Sequence, residues 1–137
     1  MKRKDLLELA NLRIKEAKVL LNMNCPEGSY YLAGYAAELA LKACIARKTE
    51  RYEFPDKMRV QSSYTHDLVK LVKVAGLDAE LDEATGKDHD LRENWMVVKG
   101  SSEQSRYMRP SREEAEVLLD ALSNRKHGVY RWLRHYC

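Results

Sequence analysis

The sequence predicts an all-α fold, an up-and-down bundle of four to five helices that forms one domain over residues 1–137. Apolar residues recur at spacings of three and four, which is typical of amphipathic helices. No alternating run of Val, Ile or Thr exceeds four residues, so β-strands are not indicated. Residues 29–47 are rich in alanine, and between positions 30 and 45 only Glu38 and Lys42 are charged. A helix that is apolar on nearly every side must be enclosed by others, so this stretch is predicted to be the central helix.

The composition is that of a globular protein. Apolar residues make up 45% and charged residues 33% of the chain, which excludes the low hydrophobicity of disordered proteins. The net charge of +3 permits contact with phosphates but is small for a dedicated nucleic-acid binder. No stretch is long and apolar enough to span a bilayer, and the first residues do not resemble a signal peptide. We therefore expect a cytoplasmic protein that does not associate with membranes.

Cysteine usage and motif content exclude several kinds of site. The three cysteines, Cys25, Cys44 and Cys137, are odd in number and widely spaced, which argues against a disulfide framework and fits a reducing compartment. No paired Cys and His spacing predicts zinc, and no glycine-rich phosphate-binding loop is present. We therefore expect no metal and no cofactor.

The first half of the chain is predicted to form two long helices. The first covers residues 3–23, because its apolar residues form one stripe: Leu6, Leu7, Ala10, Ile14, Ala17, Leu20 and Leu21. A short turn follows, and Ser29 is the predicted N-cap of the central helix. So short a connection makes the two helices antiparallel neighbours. After residue 47 a polar loop of about fifteen residues is expected.

The second half is predicted to consist of shorter pieces. Thr65 is the expected N-cap of a short helix. Two further helical pieces are expected over residues 78–85 and 88–98, with Gly86 interrupting the helix between them. Residues 100–110 are expected to be irregular. Beyond these, Ser111 and Glu114 form a capping box that starts the last long helix, and one or two amphipathic turns are predicted over residues 129–136.

Glu38 and Lys42 are the first candidate functional residues. They lie four apart on the central helix and therefore share one face. A carboxylate inside a core is costly without a partner, so Glu38 needs a cation or a hydrogen-bond donor, and Lys42 and then Arg106 are the expected partners. Two interpretations stay open: a buried ion pair that fixes the helix register, or a polar cleft beside Gly34 that a ligand can enter.

Trp95, Arg106 and Tyr107 are the second group of candidates. A guanidinium beside aromatic rings can hold a carboxylate or a phosphate, or stack on a base. The alternative is that Arg106 only fastens the irregular segment onto Glu38. The sequence therefore predicts one ligand-binding site composed of Glu38, Lys42, Trp95, Arg106 and Tyr107.

The central stretch YYLAGYAAELALKACIARK resembles the characteristic helix of HEPN domains. The later segments THDLVKLV, ENWMVVK, EQSRY and HGVYRWLRHY resemble a bacterial branch of the same family. The resemblance implies a bundle of four or five helices that is usually dimeric. It also implies one of several functions: a ribonuclease, the partner of a minimal nucleotidyltransferase in a toxin–antitoxin system, or a non-catalytic protein that binds a nucleotide.

The ribonuclease site implied by the resemblance is an Arg-x4–6-His motif near the start of a late helix, assembled across a dimer. The one formal match, Arg59 with His66, lies in the long loop before the third helix, which is the wrong place. Near the C-terminus, Arg125 stands too close to His127. Farther along, three residues separate the last candidate pair, Arg131 and His135.

Three functions follow as hypotheses. The first is a dimeric binding module for a nucleotide, an RNA or a partner nucleotidyltransferase, in a toxin–antitoxin or defence setting. The alternative is a metal-independent endoribonuclease toxin with His127 or His66 as the base and Arg106 or Arg125 as the stabiliser of charge. The third is an assembly protein whose aromatic tail, Tyr130, Trp132 and Tyr136, contributes to an apolar dimer face; the alternative for these rings is packing in the core.

Overall fold

The computed structural model describes residues 1–51, 64–101 and 109–137, and every regular element in these ranges is an α-helix. The predicted all-α class is confirmed. Seven helices are present in the described ranges, because capping residues divide the second half into short segments. In chain order they are α1 (Arg3–Asn22), α2 (Pro26–Arg51), α3 (Leu68–Val74), α4 (Asp78–Lys87), α5 (His89–Lys99), α6 (Arg112–Ser123) and α7 (Val129–Tyr136).

Helix α2 is the centre of the bundle, as predicted, but it is longer than the predicted range of 29–47. Helices α1, α3, α6 and α7 pack around it, and five of its alanines have no exposed surface: Ala33, Ala36, Ala37, Ala40 and Ala43. Alanine has the highest helix propensity and the smallest side chain that still packs, so neighbouring helices can approach closely. The expectation of an enclosed central helix is therefore confirmed.

The expected N-cap role of Ser29 is wrong. Helix α2 begins at Pro26, a residue suited to the first helical position because its missing N–H has no helical partner there. Ser29 lies inside the helix with no exposed surface, and its hydroxyl donates to the carbonyl of Ala17 at 2.7 Å. The serine therefore fastens α2 to α1 instead of starting α2.

The helix caps and helix breaks in the second half of the chain agree only in part with those predicted from the sequence. Asp67 is the N-cap of α3, and its carboxylate accepts from two backbone N–H groups. Thr65, the expected cap, instead accepts from the N–H of Asp67 at 3.1 Å. Helix α4 continues through Gly86, which was expected to interrupt it. The predicted capping box of Ser111 and Glu114 at the start of α6 is confirmed.

The cysteines depart from expectation. Cys44 of α2 and Cys137 after α7 form a disulfide, with their Cα atoms 4.4 Å apart, whereas Cys25 is a free and exposed thiol. The sequence pattern did not reveal this pair because 93 positions separate the two residues, and only the packing of α7 on α2 brings them together.

None of the helices in the described ranges combines the length and apolar character needed to cross a membrane.

Candidate functional site

The first candidate site is the Glu38 cluster, which we define as Glu38, Lys42 and His66. The Oε2 atom of Glu38 lies 3.1 Å from Nζ of Lys42, and Oε1 lies 2.8 Å from Nδ1 of His66. Only 8% of the Glu38 side chain is exposed, against 46% for His66. The predicted ion pair is present, and His66, which was a candidate catalytic base, is the second partner of this carboxylate.

The cleft expected beside Gly34 is occupied by protein. A Cβ atom on Gly34 would lie 3.2 Å from both the carbonyl oxygen and the hydroxyl of Ser101, so Ser101, two residues after the end of α5, already fills this space. Both oxygens of Glu38 have partners, and a satisfied carboxylate of this kind mainly stabilises the fold. Ligand binding by Glu38 and Lys42 stays a prediction.

Of the other three residues of the predicted ligand site, Trp95 alone lies in the described part of the chain. Trp95 is half-buried on α5, and this helix packs mainly on α4 and α6. Arg106 and Tyr107 lie outside the described residues, as does Arg59. The proposed roles of these three residues therefore stay predictions.

The second candidate site, which we call the C-terminal groove, lies between the α4–α5 junction and α7. It has a volume of about 550 Å³. Its walls come from two parts of the chain, and its polar side chains are mostly basic: Asp88, Lys126, His127, Arg131, Arg134 and His135, with Trp132 beside them. Asp88, the N-cap of α5, forms the acidic wall. The turn before α7 and α7 itself form the basic wall.

A tight turn before α7 sets the position of the basic wall. The Asn124 side chain accepts from the backbone N–H groups of Lys126 and His127, each at 3.0 Å. A Cβ atom on Gly128 would lie 2.7 Å from the backbone nitrogen of Asn124 and 2.8 Å from the carbonyl oxygen of Leu122. Glycine is therefore required at this close approach of two backbone segments.

His127 is the best-positioned side chain of the groove. Its Nδ1 lies 2.8 Å from Oδ2 of Asp88, its Nε2 lies 3.6 Å from Oδ2 of Asp90, and its carbonyl accepts from Asn94 at 2.8 Å. The hydrogen bond from His127 lowers the pKa of Asp88 below its usual range, and the backbone N–H of Leu91 lowers it further. Asp88 is therefore a fixed carboxylate that orients the imidazole.

The cations of the groove exceed its carboxylates. Across residues 1–51, 64–101 and 109–137, no acidic side chain pairs with Lys126, Arg131 or Arg134. Arg131 donates to the carbonyl of Lys126 at 2.9 Å, and the Arg134 guanidinium lies 5.8 Å from the centre of the Tyr130 ring. Three positive charges near the ordered carboxylate of Asp88 and the exposed carboxylate of Asp90 make a site suited to an anion.

Asp88, Asp90 and His127 also offer atoms that could hold a metal, all within 4.8 Å of one another. Because Nδ1 of His127 already bonds Asp88, only Nε2 and the exposed Asp90 are free to coordinate an ion together. Two ligands on an exposed turn are fewer than structural or catalytic metal sites provide. We assign no metal here.

The sequence located only part of this groove. Of the catalytic candidates, His127 lines it, His66 belongs to the Glu38 cluster, and Arg125 is exposed without lining the groove. Asp88 was expected only as a helix start, and Arg131 with His135 was set aside because of the motif spacing. A usable signal was present, because residues 125–135 contain four Lys or Arg and no acidic residue. Within that segment, His127, Arg131 and His135 recur every four residues.

Comparison with known proteins identifies one family. The family model described as the HEPN domain matches residues 3–134, which is nearly the whole chain. Neither curated proteins nor solved structures gave a significant match.

Proposed function

This chain belongs to the HEPN domain family, and on that premise we propose that it binds the phosphate backbone of single-stranded RNA in the C-terminal groove. The observation that carries this proposal is the convergence of Lys126, Arg131 and Arg134 on one cavity without an acidic partner among the described residues. A polyanion would release counterions on binding there, which is the main source of affinity for nucleic-acid backbones.

An aromatic side chain beside the cations favours RNA over a simple anion. Trp132 lines the groove, and its ring is tilted against that of Tyr136 with the centroids 4.8 Å apart. Single-stranded nucleic acids bind to grooves that combine positive charge with aromatic rings on which bases stack. A base stacked on Trp132 and phosphates near Arg131 would use both parts of this surface.

Fluorescence anisotropy with a labelled single-stranded RNA tests the proposal. The double variant Lys126→Gln/Arg131→Gln should weaken binding about tenfold or more and reduce the slope of log affinity against log salt by about 1.4, which is about 0.7 for each charge on a single strand. The matched control is Lys15→Gln/Lys18→Gln, which removes the same charge from exposed positions of α1 that line none of the cavities described.

Three outcomes would decide against this assignment. Equal loss in both double variants would mean that net charge alone attracts the RNA. Loss in Lys42→Gln with the groove variant unchanged would move the site to the Glu38 cluster. Binding of mononucleotides as tight as that of RNA would replace the RNA proposal with a nucleotide site.

The second candidate function is a metal-independent endoribonuclease, which the geometry of His127 favours. In the neutral tautomer that donates Nδ1–H to Asp88, Nε2 carries the lone pair and can accept a proton. A ribose 2′-hydroxyl placed near Nε2 could lose its proton to His127 and attack the adjacent phosphorus, while Arg131 stabilises the developing charge.

The matched test compares two histidines in an RNA-cleavage assay with a metal chelator present. His127→Gln should lower the rate of cleavage about a hundredfold, since positioned acid–base groups contribute at least this factor. His89→Gln, whose imidazole is 77% exposed beside Glu93, should leave the rate unchanged. Intact RNA with the unaltered protein would exclude this candidate.

Helix α1 supports a homodimer. Two of its large apolar residues, together with its C-cap Met23, are exposed on one face: Leu12 at 46%, Val19 at 54% and Met23 at 71%. Val19→Asp should shift the sedimentation coefficient from dimer to monomer, whereas Lys18→Asp should not. A monomer in the unaltered protein would exclude the dimer.

A partner nucleotidyltransferase and a toxin–antitoxin setting stay predictions from the family resemblance, and co-purification with such an enzyme would test them.

A further inference from the structure

A second, smaller cleft adjoins the C-terminal groove at His135 and lies next to the disulfide. Its volume is about 340 Å³, and Cys44 forms part of its wall together with Arg47, Lys48 and His135. Cys44 and Cys137 are both nearly buried, at 5% and 6% exposed, and of the two only Cys44 lines the cleft. A reagent in the cleft therefore meets Cys44 before Cys137.

The charge around this cleft is positive. Arg47 and Lys48 follow Cys44 by three and four residues on α2, so all three side chains lie on one face of the helix. The Arg47 guanidinium donates to the carbonyl of Tyr136 at 2.9 Å, which holds it beside the end of α7. No carboxylate lines the cleft among the described residues.

We propose that the Cys44–Cys137 disulfide is a thiol–disulfide exchange site that takes an anionic low-molecular-weight thiol through this cleft. Positive charge beside a sulfur stabilises the negative charge that accompanies thiolate attack, and it raises the local concentration of an anionic reagent. The inference does not depend on RNA binding, because it concerns a different reaction at a different pair of residues.

The exchange proceeds in two balanced steps. The thiolate of the reagent forms a bond to Sγ of Cys44 while the bond between Cys44 and Cys137 breaks, and the electron pair leaves on Cys137, which takes a proton from water. A second thiolate then attacks the reagent sulfur of the mixed disulfide, which releases Cys44 as the thiolate and gives the oxidised reagent. Two reagent thiols are oxidised for each protein disulfide reduced.

The test measures the rate of disulfide reduction in the full chain by alkylation and mass spectrometry. The Cys25→Ser background removes the exposed free thiol, which would otherwise react. Glutathione, which carries a net negative charge, is compared with cysteamine, which is positively charged, after correction for the thiolate fraction of each. We expect glutathione to react roughly tenfold faster at low salt, with the advantage lost at high salt.

Two variants identify the origin of that preference. Arg47→Gln/Lys48→Gln should abolish the advantage of glutathione, whereas Lys15→Gln/Lys18→Gln, with the same loss of charge on α1, should retain it. Arg47 also bonds α7, so its loss could disturb the fold, and Lys48→Gln alone is therefore the second variant. This variant should lose part of the rate advantage of glutathione, and its thermal unfolding should be unchanged.

Three results would overturn the inference. The first is equal rates with the two reagents at low salt. The second is a rate independent of reagent concentration, which would mean that the sulfur becomes accessible only when the protein opens. The third is a Cys44–Cys137 pair that stays as two thiols when treated with oxidised glutathione.

Discussion

The Glu38 cluster and the C-terminal groove contain the same local pair in opposite surroundings. In each, Nδ1 of a histidine lies 2.8 Å from a carboxylate oxygen, His66 on Glu38 and His127 on Asp88. In the cluster, the carboxylate is buried and its second oxygen is taken by Lys42. In the groove, the pair is partly exposed and stands among cations that have no acidic partner in the described residues. The first arrangement balances its charge and serves the fold, whereas the second leaves charge available for a ligand.

The largest effect is expected at the buried carboxylate. Glu38→Ala should lower the free energy of unfolding by about 3 kcal/mol, because a buried site loses both hydrogen bonds to Glu38 and the partly buried ammonium of Lys42 loses its partner. Urea denaturation measures this. Glu83→Ala is the matched control, since Glu83 pairs with Lys87 at the same spacing and 3.0 Å but on an exposed surface, and it should cost under about 0.5 kcal/mol. Equal losses would contradict the contrast between the two sites.

An intermediate effect is expected at the turn that positions the groove. Gly128→Ala should destabilise the protein by about 2 kcal/mol and weaken RNA binding, because the added Cβ meets backbone atoms of Asn124 and Leu122. Thermal unfolding and anisotropy report the two effects. Gly86→Ala, within α4 and with no atom within 4 Å of the new Cβ, should instead stabilise the helix by about 0.5–1 kcal/mol. If a folded Gly128→Ala protein kept its RNA affinity, the turn would not contribute to RNA binding and this prediction would be wrong.

The smallest effect is a pH dependence of stability that arises in the groove. The lowered pKa of Asp88 means that this carboxylate stabilises the fold at pH values above about 3.9, the ordinary value for aspartate. Its contribution is lost as the pH falls below that value and through the lower folded pKa. Asp88→Asn should therefore reduce stability at neutral pH but flatten the acid limb of the stability curve. A carboxyl carbon of Asp88 that titrates at or above the ordinary pKa in NMR would contradict this.

Local sequence patterns predicted the helical framework and some of the residues in each candidate site, but not the distant partner of either histidine. The apolar stripe of α1, the capping box before α6 and the pairing of Glu38 with Lys42 depend on residues three or four apart, where helix geometry alone dictates contact. His66 stands 28 positions from Glu38, and His127 stands 39 from Asp88. Such pairs form only once the helices pack, which no periodicity in a single sequence specifies.

The covalent link between Cys44 and Cys137 encloses helices α3 to α7 in one ring of chain. Such a ring restricts the unfolded chain and so contributes to stability, by about 4–5 kcal/mol for a loop of this length in the chain-entropy description. The ring also changes the products of proteolysis. One cut anywhere between the two cysteines opens the ring without releasing a fragment. A nicked, oxidised chain should therefore migrate as one species in a denaturing gel and separate into two pieces only after reduction.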